Sequence, residues 1–166
     1  MDVFLEQLVK IRLEGKAKAM VFGILAADLL IILLMIGVSI FLGADFLVIL
    51  ILAAVCFGSY KLLSALSVEF EYIITNTDLD IDKITAKSAR KRMVSLKLNQ
   101  VEKYGEYKGQ PAPSSVSNTY FFCNRSDDNL VYLIAPTRDQ GNVMVVLALD
   151  ERMREAAEKF IPRLAK

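Results

Sequence analysis

The hydrophobic pattern changes period along the chain. From Ala19 to Leu42 the run AMVFGILAADLLIILLMIGVSIFL is apolar apart from Asp28 and Ser39. After a break at Gly43, Ala44 and Asp45, FLVILILAAVCFGSY continues in the same character from Phe46 to Tyr60. A helix of about 20 residues crosses the hydrocarbon core of a bilayer. The two runs therefore predict a two-helix transmembrane hairpin over residues 19–63, the shorter second run being completed through Lys61, Leu62 and Leu63. A cleaved signal peptide fits poorly, because the first run is too long and no A-x-A site follows it.

Beyond Leu66 the period becomes two-fold. VEFEYIIT (Val68 to Thr75), LDIDKIT (Leu79 to Thr85), RMVSLKL (Arg92 to Leu98) and VEKYGEY (Val101 to Tyr107) predict a four-strand meander. Its turns fall at Asn76-Thr77-Asp78 and at Lys87 to Arg90. A Gly-, Pro- and Ser-rich loop from Lys108 to Ser117 separates it from TYFFCN, NLVYLIAP and NVMVVLAL, three more strands, for seven in all. In DERMREAAEKFIPRLAK, Asp150 is an N-cap and Met153, Ala156, Ala157, Phe160, Ile161 and Leu164 share one helical face, with Pro162 loosening only the last turn. At the other end, Phe4, Leu5, Leu8 and Ile11 fall at helical spacing, which predicts an amphipathic helix over residues 1–18. It lies either in the headgroup region or on the domain that starts at residue 67.

Charge adds orientation. Lys10, Arg12, Lys16 and Lys18 precede the first apolar run; Lys61, Lys87, Arg90, Lys91 and Arg92 follow the second; the connection between the runs has no cation. Basic flanks stay in the cytoplasm. The expectation is a multi-pass cell-membrane protein with both termini cytoplasmic. The net charge is only +1, so nothing in the overall balance suggests nucleic acid. Cys56 and Cys123 fall in different environments and do not suggest a disulfide.

The order of a four-strand sheet, a three-strand sheet and a terminal amphipathic helix resembles the pleckstrin-homology-like (PH-like) domain. The resemblance implies a membrane α-helical hairpin plus an α+β domain at residues 67–166: a seven-strand antiparallel β-barrel or sandwich capped by a C-terminal helix. More specifically, MDVFLEQLVKI, the two apolar runs and EFEYIITNTDLDIDKITAKSARKRMVSL are similar to a family of small uncharacterised Gram-positive bacterial membrane proteins with a transmembrane hairpin and a PH-like domain. That similarity implies architecture and brings no catalytic residues.

The chain has no histidine, which removes the commonest general base and zinc ligand. Asp78, Asp80 and Asp82 resemble the start of a calcium loop, but Lys83 and Ala89 stand where an EF-hand needs Gly and Glu. No nucleotide-binding glycine pattern occurs. No catalytic, cofactor or metal residues are therefore expected, and the chain reads as a non-enzyme.

Two features remain. Lys87, Arg90, Lys91 and Arg92 form a basic cluster at a turn, suited to anionic lipid headgroups or a partner; the alternative is a solvated turn paired with Asp80, Asp82 or Glu102. Asp28 is a carboxylate inside an apolar run. It suits an intramembrane polar contact, either across the hairpin to a group such as Ser59 or with a membrane-protein partner or second copy. The expected function is a non-enzymatic, membrane-tethered interaction module that binds protein, peptide or an anionic lipid surface. The alternative is an accessory or regulatory subunit of a membrane transport or envelope-stress system.

Overall fold

The computed structural model describes residues 3–43, 45–137 and 140–165. The chain divides into two compact units, one of residues 12–67 with 85–87, the other of the remaining segments. The first unit is built on two helices, α1 (Lys16–Leu42) and α2 (Asp45–Ala65). α1 buries no residue and α2 only Val48. Both are long and apolar enough to cross a membrane. At 1.5 Å per residue they measure about 40 and 32 Å, against about 30 Å of hydrocarbon. Gly43 ends α1 in the left-handed region, φ 59°, where its amide donates to the Ser39 carbonyl at 2.9 Å, and the Ser39 hydroxyl donates to the Asp45 carboxylate across the turn.

The second unit has eight strands among the described residues, one more than expected: β1 (Phe4–Lys10), β2 (Val68–Thr75), β3 (Asp78–Thr85), β4 (Ala89–Lys97), β5 (Lys103–Glu106), β6 (Asn118–Phe121), β7 (Leu130–Thr137) and β8 (Gly141–Ala148). They make two four-stranded sheets, β1-β2-β3-β4 and β5-β7-β8-β6, instead of a closed barrel. Nor is the arrangement wholly antiparallel, since β6 runs parallel to β8. β5, expected as the last strand of the meander, pairs with β7 in the second sheet.

The extra strand replaces the expected N-terminal helix. Phe4, Leu5, Leu8 and Val9 fit either period over so short a segment, and long-range pairing decides between them. β1 lies antiparallel on β2 from Phe4↔Thr75 to Lys10↔Glu69, and the ladder continues to Ile11, whose amide donates to the Val68 carbonyl at 3.0 Å. The domain therefore does not begin at residue 67. Its first strand precedes α1, and the whole hairpin is inserted in the connection between two paired neighbours.

Side chains fasten β1 in place. Gln7 Nε2 donates to the Ala148 carbonyl at 2.8 Å, while Gln7 Oε1 accepts from the Asp150 amide at 2.9 Å. Asn124 Nδ2 donates to the Lys10 carbonyl at 3.1 Å, and Asn76 Oδ1 accepts from the Val3 amide at 3.0 Å.

Tyr72, Ile74, Leu79, Ile81, Leu96, Leu133 and Leu147 lie in the core between the sheets, closed by α3 (Glu151–Phe160) through Met153, Ala156 and Ala157. Asp150 caps α3, accepting from the Met153 amide at 2.8 Å. The helix stops earlier than its pattern suggests. Ile161 is already extended, as the residue before a proline tends to be, so Ile161 is buried while Leu164 is fully exposed. A smaller cluster on the other face of the second sheet joins Cys123, Leu130, Ile134, Met144 and Val146, with Val116 from the Pro/Ser-rich segment against it. Gly105 pairs with Tyr132 in that sheet, and a Cβ there would press on the Tyr132 ring at 3.2 Å.

Candidate functional site

The basic cluster is divided by the position of its turn. Ala86 and Lys87 both take left-handed φ, 54° and 56°, and β4 begins at Ala89. Arg90, expected in a turn at Lys87 to Arg90, consequently belongs to the strand together with Lys91 and Arg92.

Arg92 Nη1 meets Asp80 at 2.6 Å and its Nε donates to Asp82. The Asp82 bond raises the guanidinium pKa against the opposing effect of burial. Arg90 Nη2 donates to Glu71 Oε1 at 3.2 Å; its Nη1 is 2.9 Å from Glu71 Oε2, close enough for Coulomb attraction but off the direction of a hydrogen bond. Asp80 and Asp82 thus hold a guanidinium. Glu102, the other expected partner, instead accepts from Asn142 Nδ2 at 2.9 Å. Lys87 and Lys91 are exposed, and their ammonium groups meet no carboxylate among the described residues.

Lys87 stands apart in another respect. The Ala86 amide donates to the Ser67 carbonyl at 3.1 Å, two residues beyond the end of α2, and Thr85–Lys87 belong to the compact unit that contains the hairpin. Lys16, Lys18 and Lys61, all exposed, belong to the same unit. Sequence spacing grouped Lys87 with Arg90 to Arg92; hydrogen bonding groups it with the helix flanks.

Asp28 and Ser59 meet across the hairpin, the serine hydroxyl donating to Asp28 Oδ1 at 2.7 Å.

β4 is an edge strand, and a groove of about 480 Å³ runs beside it, lined by Arg92, Ser95, Lys97, Gln100, Pro136 and Thr137 among others. The buried titratable groups serve packing. Burial first, then the bond it donates to Glu158 at 3.0 Å, pushes Tyr104 up to about 12. Tyr72 donates to the Phe122 carbonyl at 2.7 Å and is raised by burial. Burial likewise pushes the Cys123 thiol up to about 11, which makes it a poor nucleophile at neutral pH.

Two facing sheets closed by a C-terminal helix define a PH-like domain, here carrying a helical hairpin between its first two strands. The chain belongs to the family described as bacterial PH-like domain (DUF6106), whose model matches residues 1–166. No curated protein and no solved structure matches the chain. PH-like domains are generally non-catalytic interaction modules that bind lipids or proteins.

Proposed function

We propose that this chain is a membrane-tethered, non-catalytic interaction module whose hairpin crosses the bilayer twice and whose PH-like domain lies on the cytoplasmic side. The observation that carries the reading is the pairing of β1 with β2 across the insertion. Strands that share a ladder lie on one side of a membrane, so the chain between them crosses an even number of times. Two candidate spans fit one crossing out and one back. The basic flanks at Lys10, Arg12, Lys16, Lys18 and Lys61 favour the cytoplasm for that side. A cleaved leader is disfavoured because its removal would take β1 from the sheet. The β4 edge and its groove supply the exposed surface that extended peptide partners use in strand addition.

The test is topological. In a chain with Cys56 and Cys123 replaced, an impermeant thiol reagent applied to intact cells should label Ala44→Cys and leave Ser115→Cys unlabelled. The reverse pattern, or labelling of neither even after lysis, overturns the reading.

A further inference from the structure

We infer that Lys87, together with Lys16, Lys18 and Lys61 on the hairpin flanks, forms a contact for anionic phospholipid headgroups, and that Arg90 and Arg92 take no part in it. This rests on the membrane reading above and assigns its lipid-facing residues. Lys16, Lys18 and Lys61 flank the spans, where the cytoplasmic preference of cations already accounts for them. Lys87 lies beyond the roughly 15 to 20 residues after a span over which that preference is strongest, and it reaches the end of α2 through the fold.

The local geometry of Lys87 is also not what a solvated turn would select. The connection over residues 86–88 opens on two positions of positive φ, a conformation that Asn and Gly adopt most readily, and here they hold Ala86 and Lys87. The turn is held by the bond from the Ala86 amide to the Ser67 carbonyl at 3.1 Å, which keeps the lysine at the helix end. Its ammonium group meets no carboxylate among the described residues, whereas both neighbouring arginines do. In a chain whose hairpin spans the bilayer, the end of α2 is at headgroup depth, where phosphodiester anions are the abundant counter-charge. Each lysine there contributes about fivefold in occupancy, weakening as salt screens the surface.

The experiment uses the full chain in nanodiscs of phosphatidylcholine, alone or mixed with an equal part of phosphatidylglycerol. Individual lysines are followed by peptide mapping after brief exposure to a soluble amine-reactive reagent. Lys91, also exposed but on β4, is the internal control. Labelling of Lys87 should slow about fivefold on the anionic discs while Lys91 changes less than about twofold, and salt near 1 M, where screening reaches only about 3 Å, should restore it. Millimolar glycerol phosphate added to neutral discs should not protect Lys87, which separates a lipid surface from a free phosphate site. Equal slowing of Lys87 and Lys91, no slowing of Lys87, or protection by glycerol phosphate each overturns the inference. A chain that passes the topological test but leaves Lys87 unprotected loses only this inference, whereas failure of the topological test removes the membrane reading itself.

Discussion

The insertion of the hairpin between paired strands can be tested by removing it. Because Ile11 and Val68 face each other as a hydrogen-bonded pair, a two-residue Asn-Gly turn can join them. The resulting chain, residues 3–11, the turn, then 68–165, should fold as a soluble domain. Residues 68–165 alone lack β1, and the loss can be apportioned. Burying Val9 contributes about 2 kcal/mol and the partly buried Leu5 about 1. The two hydrogen bonds of Gln7 add about 2 kcal/mol, since their loss orphans the Ala148 carbonyl and the Asp150 amide. That is about 5 kcal/mol, comparable with the whole stability of a marginal domain. Urea melts followed by circular dichroism should give a cooperative transition for the joined chain. For the fragment the midpoint should fall by about 2 to 4 M or no transition should remain, and a β1 peptide added in trans should recover part of the loss. If both proteins melt within about 1 kcal/mol of each other, β1 is an ornament and the strand-insertion argument fails.

Further outcomes follow from individual side chains. In the joined chain, Met153→Ala should cost about 2 to 5 kcal/mol because Met153 is wholly buried, while Leu164→Ser, at a fully exposed site, should stay within about 0.5 kcal/mol in the same melts. Tyr104 titrates near 12 when folded against an ordinary 10.0, so the unfolded chain loses that proton first. Its contribution is intact below pH 10 and is lost as pH rises towards 12, which ultraviolet titration and alkaline melts should register together. For the full chain in micelles, Ser59→Ala should weaken the hairpin by about 0.6 kcal/mol and at most about 1.7, and Asp28→Asn should be tolerated, both measurable by steric-trap unfolding.

Most elements were legible because each carries its own local signal. Two apolar runs, the alternation of β2, β3, β7 and β8, and Asp150 ahead of an amphipathic stretch need no distant information. Asn76 marked its turn correctly because asparagine tolerates the left-handed conformation it adopts, φ 54°. Ala86 and Lys87 carry no such signal, which is why the sequence places the second turn late and puts two strand residues, Ala89 and Arg90, inside it. β1 was missed for a different reason. Seven residues with apolar positions at both spacings do not choose a period, and the partner that chooses it lies beyond the hairpin. Gln7 stands between Leu5 and Val9 in a two-fold alternation, the one local feature that favours the strand. The pairing of Arg90 and Arg92 with carboxylates on β2 and β3 depends on strand register, which composition does not contain.

The non-local pairing of Lys10 with Glu69 also sets a timetable for biogenesis. During synthesis β1 emerges first and has no partner until nearly sixty further residues have been made, a wait of several seconds at about 5 to 20 residues per second. On the membrane reading proposed above, the two spans enter the bilayer and the chain comes back in that interval. A nascent chain whose second helix slips through to the far side strands β2 across the membrane, leaving β1 with an unsatisfied backbone and an open core behind it. On that reading, completion of the sheet reports that the hairpin has returned.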